Sequence, residues 1–149
     1  MLQIQGDQAA WARSLGGGRL GFDLVEVAQV EESLRHFGAA YERRLFTTAE
    51  REYAHRGTPT VCGERLAARL AAKEAVIKAL RLSEAGIAFT DIEVVKQDDG
   101  DCELALHGRV AEIAKKQGAA HLLLSMSHDG GYAGAFVSVV LKHSQEALA

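Results

Sequence analysis

The stretch ARLAAKEAVIKAL, residues 68–80, is almost continuously apolar apart from a few charged side chains. It lies within residues 63–82, which are rich in Ala, Leu, Lys, Arg and Glu and have no internal glycine or proline. These residue types favour the helical conformation, so the segment is predicted to form the longest helix of the chain. A helix this apolar is largely buried, and the carboxylate of Glu74 in its middle therefore requires a partner or a function.

Strands and shorter helices are predicted around this helix. In the stretch RLGFDLVEV, residues 19–27, side chains of the same face recur with a period near two, as in a strand. Both faces are apolar enough to be buried in a sheet. Turn residues between apolar runs predict two antiparallel hairpins, residues 91–108 and 121–141, and helical patterns occupy 28–38, 46–57 and 108–118. Because there is little strict β-α-β alternation, the predicted fold class is α+β, an antiparallel sheet packed against one long helix.

The chain of 149 residues is predicted to form one domain, residues 19–142. Residues 1–18 are interpreted as an N-terminal extension, a weak amphipathic helix followed by a joint of three glycines, and residues 143–149 as a polar tail.

Composition excludes several classes of function. The formal net charge of -3 gives no general attraction to nucleic acid, and no secretory signal or membrane span is recognisable. Cys62 and Cys102 are isolated and are expected to be reduced thiols. A cytoplasmic protein without nucleic-acid or membrane partners is expected.

The long helix carries two groups of charged residues when it is projected at 100° per residue. Glu74 and Lys78 fall beside Ala67 and Ala71, whose small side chains are expected to leave a groove for a ligand. On another edge, cations follow one another at i, i+4 spacing, and residues 64–81 contain five cations against two acids. This edge, which suits a phosphorylated ligand, consists of Arg65, Arg69 and Lys73. The alternative is a solvated face, on which a Glu74–Lys78 pair stabilises the helix by only ~0.3 to 0.5 kcal/mol.

Asp23 lies in the middle of the first predicted strand, on the same face as Gly21 and Val25. A carboxylate there loses hydration on folding, so a cation or hydrogen-bond donors must compensate. It is either a hydrogen-bonding aspartate at a strand end or, together with Glu74, a ligand of Mg²⁺, which takes one or two protein carboxylates plus water and phosphates.

Ser127, His128 and Asp129 are adjacent in sequence and therefore cannot form a catalytic triad, whose members come from distant positions. His128 is either a structural residue of a hairpin turn or a contact to a ligand.

Three stretches resemble, in this order, the holo-(acyl-carrier-protein) synthases, the small single-domain branch of the 4′-phosphopantetheinyl transferases. They are GFDLVEVAQVE (21–31), RLAARLAAKEAVIKAL (65–80) and LLLSMSHDGGYAGAFVSVV (122–140). The resemblance covers residues 19–141 and implies transfer of phosphopantetheine from coenzyme A to a serine of an acyl carrier protein, with release of 3′,5′-ADP.

The resemblance also implies the roles of individual residues. Asp23 and Glu74 match the positions that bind Mg²⁺, Lys78 matches the lysine near the coenzyme A phosphates, and Ser127 and His128 match the family's Ser-His. Glu74 is expected to accept the serine proton through a bound water. The resemblance further implies a homotrimer with active sites between subunits, so that His128 serves a neighbouring site.

An acyl carrier protein is acidic, so a basic docking surface is expected. The candidates for this surface are Arg35, Arg43, Arg44, Arg51 and Arg56. These arginines are interleaved with glutamates, so a solvated pair of helices explains them equally well.

The sequence departs from the family pattern at three places. Gln29 replaces a usual arginine, RLSEAG (81–86) replaces a Gly-Thr-Gly turn, and Gly100, Asp101 and Cys102 replace Gly-Lys-Pro. Because of these departures, the alternative is that the protein is a specialised or non-catalytic member of the family, which binds coenzyme A or one particular carrier protein.

Overall fold

A computed structural model describes residues 18–142. The elements follow in the order β1 (Arg19–Glu26), α1 (Val27–Leu45), α2 (Thr48–His55), α3 (Pro59–Leu80), β2 (Ile92–Lys96), β3 (Cys102–Leu106), α4 (Gly108–Lys116), β4 (Ala119–Asp129) and β5 (Tyr132–Leu141). A short 3₁₀ turn, Phe89–Asp91, precedes β2. The predicted α+β class and the single long helix are confirmed.

The main sheet has three antiparallel strands in the order β1-β5-β4, and β2 and β3 form a separate hairpin. Asp23 pairs with Ala135, and Phe22 pairs with Phe136 on the next step of the ladder. Because successive side chains point to opposite faces, Asp23 lies on the face that packs against α3, while Phe22 and Phe136 lie on the outer face.

The alanines of α3 allow the sheet to approach the helix closely. Ala67, Ala71 and Ala75 have no exposed surface and belong to the two hydrophobic clusters of the core. Gly21 faces this helix, and a Cβ added there would lie 1.9 Å from the carbonyl oxygen of Ala75. The predicted ligand groove beside the alanines is therefore wrong, because strand β1 and the core occupy that space.

A buried ion pair ties α2 to α3. Lys73 and Glu50 have no exposed side-chain surface, and Lys73 Nζ lies 2.9 Å from Glu50 Oε2. The same ammonium donates hydrogen bonds to the carbonyls of Phe89 and Ile92, and the Glu50 carboxylate accepts from the backbone N–H of Val94 at 2.8 Å. Both charges are thus satisfied by groups of the chain, as burial requires.

The outer face of the sheet is apolar and exposed. Both faces of β1 are apolar, as predicted, but within residues 18–142 only the face toward α3 is covered. The exposed side chains of the outer face, between 44% and 64% accessible, are Leu20, Phe22, Leu24, Leu123, Tyr132 and Phe136.

Most predicted helix signals are confirmed, with two differences. Helix α2 lies within the predicted segment 46–57, and Thr47 and Glu50 form a capping box at its start. Gly38 breaks the helical geometry of α1 with φ 55°, but helix resumes as far as Leu45. Helix α3 begins at Pro59, four residues before the predicted start, because Thr58 caps it and proline fits the first helical turn.

The predictions for residues 1–17 and 143–149 lie outside the described residues, and the domain boundaries stay a prediction. Within residues 18–142, no helix combines the length and the hydrophobicity that crossing a membrane requires. The cytoplasmic location also stays a prediction.

Candidate active site

Asp23 and Lys78 meet where β1 crosses the C-terminal half of α3. The ammonium Nζ of Lys78 lies 2.7 Å from Asp23 Oδ1 and donates a second hydrogen bond, 3.0 Å long, to the backbone carbonyl of Phe22. The Asp23 side chain is 18% exposed and that of Lys78 is 54% exposed. The predicted requirement for a cation beside Asp23 is therefore met by a lysine 55 residues away.

Glu74 lies one helical turn before Lys78 on α3 and is partly buried. Burial raises the pKa of its carboxyl group, and the negative charge of Asp23 raises it further, while Lys78 lowers it. The charges of Asp23 and Lys78 thus act on Glu74, so the two carboxylates and the ammonium lie in one part of the structure, with Asp23 and Lys78 in direct contact. The structure brings together Asp23, Glu74 and Lys78, the residues to which the family resemblance assigns the metal and the coenzyme A phosphates.

The donor set of this group fits a hard divalent cation. Among residues 18–142, no cluster of three or more His, Cys, Asp or Glu side chains is arranged to hold a metal. Mg²⁺ is bound in many enzymes by one or two carboxylates together with water and substrate phosphates. Asp23 and Glu74 supply that number of protein ligands, so the residues present fit Mg²⁺ better than an ion that requires a cage made of protein alone.

A second group of cations lies elsewhere on α3. The guanidinium groups of Arg65 and Arg69 each lie 4.4 Å from the ring centre of Tyr53. Arg69 is 3% exposed, and within the described residues its Nε has no hydrogen-bond partner. Burial lowers the pKa of Arg69. A buried guanidinium without a carboxylate at ion-pair distance in this part of the chain is suited to an anionic ligand.

Arg65 and Arg69 line a cleft of about 1150 Å³ between α3, the β2–β3 hairpin and β4. Ser127 and His128, near the end of β4, also line this cleft and are exposed. His128 Nδ1 lies 3.9 Å from Glu64 Oε2, whose carboxylate is the acidic neighbour of the imidazole. Asp23, Glu74 and Lys78 are absent from the lining, so one chain presents the predicted site residues as two separate groups.

Lys73 differs from the other predicted ligand contacts. Its side chain has no exposed surface, and its ammonium is held by Glu50 and two backbone carbonyls. It is therefore left out of the ligand site, because a fully buried side chain has no surface to offer to coenzyme A. Desolvation lowers the pKa of Lys73, and the neighbouring charge of Glu50 opposes this shift.

Sequence reasoning missed Glu64 and Tyr53. Glu64 precedes Arg65 on α3, and this position in the helix does not by itself indicate its contact with His128. The position of Tyr53 between two guanidinium groups depends on how α2 packs against α3, and no periodic pattern in the sequence reports that contact. An aromatic residue in a helix that precedes an arginine-rich helix is a weak signal on its own.

Comparison with known proteins identifies the family. The family described as the 4′-phosphopantetheinyl transferase superfamily matches residues 19–137. The chain belongs to this superfamily. The resemblance inferred from the three sequence stretches is thus confirmed.

Individual relatives share most of their length with the chain. A holo-[acyl-carrier-protein] synthase of Gloeobacter violaceus is 38% identical over 82% of this chain and 92% of its own length. That of Salinispora arenicola is 45% identical over 79% and 93%. The solved ACPS–CoA complex from Chronobacterium ammoniagenes has a TM-score of 0.72 and 33% identity, and the match covers 84% of this chain and 98% of that one.

Proposed function

We propose that this member of the 4′-phosphopantetheinyl transferase superfamily is a holo-(acyl-carrier-protein) synthase. It transfers the phosphopantetheine group of coenzyme A to a serine of an acyl carrier protein and releases 3′,5′-ADP. The observation that carries the proposal is the convergence of Asp23, Glu74 and Lys78 at the crossing of β1 and α3. Relatives at 38% and 45% identity carry the name of this activity.

The chemistry requires a base for the serine hydroxyl and compensation for charge on the diphosphate. Glu74 is suited to take the proton through a water molecule, because its carboxylate is only partly buried and lies near Asp23 and Lys78 at the crossing of β1 and α3. Lys78 is half-exposed at the same point and supplies a mobile positive charge for the diphosphate oxygens.

Asp23 and Glu74 are proposed as the protein ligands of Mg²⁺. When bound there, the ion neutralises charge that develops on the diphosphate during transfer. Asp23 is held for this role by its place in β1, where the ladder to Ala135 fixes its backbone. Glu74 is held by α3, whose neighbouring residues Lys73 and Ala75 are fully buried.

We further propose that the protein works as a homotrimer with sites between subunits. The outer face of the sheet carries several exposed apolar side chains next to one another. Single exposed apolar residues are common on protein surfaces, whereas contiguous apolar patches mark interfaces. Ser127 lies on the same face. It pairs with Gly134, which is two residues from Phe136 on β5, and residues two apart in a strand share a face. We propose that a site between subunits combines the cleft lined by Arg69 and His128 with the Asp23 and Glu74 carboxylates of a neighbouring copy.

The basic docking surface for the carrier protein stays part of this proposal. Four of its candidate residues are exposed, namely Arg35, Arg43, Arg44 and Arg56. Salt should weaken binding of an acidic carrier to such a surface. Affinity that is independent of salt concentration would contradict this docking mode.

Mass spectrometry tests the proposed activity directly. Apo acyl carrier protein is incubated with coenzyme A, Mg²⁺ and the purified protein, and transfer adds about 340 Da to the carrier, a mass fixed by the covalent group. Carriers of fatty-acid and of secondary-metabolite assembly lines are tested in parallel. No mass increase on any carrier, with binding of coenzyme A retained, would indicate the non-catalytic alternative.

A further inference from the structure

The ammonium of Lys78 occupies a defined place beside Asp23. It contacts Asp23 Oδ1 at 2.7 Å and the carbonyl of Phe22 at 3.0 Å, so two acceptors of β1 hold it in position. Glu74 lies at i, i+4 spacing on the same helix, yet among the described residues the acid at ion-pair distance of Lys78 is Asp23. The lysine therefore pairs across the helix–strand crossing, and it neutralises the carboxylate proposed as a metal ligand.

We infer that Lys78 is an exchangeable counter-ion, which a divalent cation displaces from Asp23 and which then turns to the diphosphate of coenzyme A. This inference rests on the proposed metal site. A cation bound to the Asp23 carboxylate would lie close to the ammonium, and like charges at such a distance repel strongly, more so when one of them is divalent. Metal binding and the Asp23–Lys78 contact therefore exclude or weaken each other.

The geometry allows this exchange without a change of fold. The Lys78 side chain is 54% exposed, and its flexible stem can turn toward solvent. Its contacts within residues 18–142 are exposed ones to Asp23 and to the carbonyl of Phe22. Lys73, on the same helix, provides the contrast: its ammonium is fully buried and is held by three groups. Of these two lysines, Lys78 is the one whose ion pair can open at low cost, since half-exposed ion pairs are weak.

The exchange couples the two ligands. The ammonium released from Asp23 becomes available to a diphosphate, so the cation and coenzyme A each favour binding of the other beyond their direct contact. Without the cation, Lys78 is retained by Asp23 and is less available to the substrate. The same lysine thus prevents a high affinity for free metal and supplies positive charge once the substrate is bound.

Binding of Mn²⁺, measured by the loss of its free electron paramagnetic resonance signal without coenzyme A, tests the inference independently of activity. Lys78→Met should bind Mn²⁺ roughly five- to tenfold more tightly than the wild type, because a competing cation with a weak ion pair is removed. Lys78→Arg, which retains a cation, should remain near the wild type. The matched control Lys116→Met removes the same charge from an exposed position of α4 and should change nothing.

Equal or weaker Mn²⁺ binding by Lys78→Met would overturn the inference, and so would a failure of both proteins to bind the ion. A second measurement uses the wild type alone: the ¹⁵N signal of the Lys78 ammonium should shift when Mg²⁺ is added. An unchanged signal at saturating Mg²⁺ would also overturn it. Transfer activity measured by mass spectrometry separates these outcomes from failure of the proposed function, because an active enzyme can bind its metal without displacing Lys78.

Discussion

The backbone of Gly21 lies directly against the carbonyl of Ala75, and this contact sets the distance between β1 and α3. A Cβ at Gly21 would lie 1.9 Å from that oxygen and 3.0 Å from the Cβ of Ala79. Both acidic residues of the site neighbour this contact, since Asp23 follows Gly21 by two residues and Glu74 precedes Ala75. Close packing of small residues therefore places the two carboxylates near each other.

Gly21→Ala should separate the strand from the helix, lower the free energy of unfolding by about 1 to 3 kcal/mol through overpacking and reduce transfer activity. Urea unfolding and the transfer assay measure the two effects. Gly134→Ala on β5 is the matched control, because an added Cβ there would make ordinary contacts of 3.6 to 3.8 Å. Equal stability of the two variants would contradict the role of this contact.

Lys73 is expected to stabilise the fold rather than bind a ligand. Lys73→Met leaves the carboxylate of Glu50 buried without its cation, which should cost about 3 to 5 kcal/mol of unfolding free energy. The double variant Lys73→Met, Glu50→Gln should be less destabilised than the single variant, because no uncompensated charge remains. Urea denaturation with Lys116→Met as the exposed control distinguishes these cases, and a single variant as stable as that control would refute the assignment.

Arg81 ends α3 in the left-handed conformation, with φ 56° and ψ 53°. This conformation costs a residue with a Cβ about 1 to 2 kcal/mol. Arg81→Gly should therefore raise the free energy of unfolding, by roughly 0.5 to 1 kcal/mol after the larger backbone entropy of glycine in the unfolded chain is subtracted. Thermal or urea unfolding measures the change, and destabilisation would show that the arginine side chain makes a compensating contact.

Phe22 and Phe136 are paired on the outer face of the sheet and are 55% and 44% exposed in one chain. If this face joins subunits, Phe136→Asp should convert a trimer into monomers and abolish transfer, because a charge is then buried in an apolar contact. Light scattering during size-exclusion chromatography measures the mass. Phe37→Asp, at a 67% exposed position of α1, serves as the control. A wild-type protein that is monomeric at micromolar concentration would contradict the trimer.

Local signals predicted most of the fold. The capping box at Thr47 and the period-two pattern around Asp23 each report a local interaction, so the sequence alone is sufficient to recognise them. The helix projection wrongly predicted a ligand groove at Ala71. A small side chain is compatible with a ligand groove and with a closely packed strand, and only the tertiary structure distinguishes the two.

The site was predicted less completely than the fold. Asp23, Glu74 and Lys78 came from motif order and converge in the structure. Lys73 was misplaced because its partners, Glu50 and the carbonyls near β2, are distant in sequence. A cation in a helical repeat has the same pattern whether it faces solvent or a buried carboxylate, and burial depends on contacts that the pattern does not contain.

The central claim is that Asp23 and Glu74 act together on one cation and one diphosphate. Its most direct test is the turnover number of Asp23→Asn and Glu74→Gln in the mass-spectrometric transfer assay across a range of Mg²⁺ concentrations, with Glu112→Gln on α4 as the exposed control. Loss of one such electrostatic contact typically lowers the rate about 10²- to 10³-fold, and we expect this loss in both variants with native circular dichroism. Near-normal turnover of either folded variant at saturating Mg²⁺ would contradict the account.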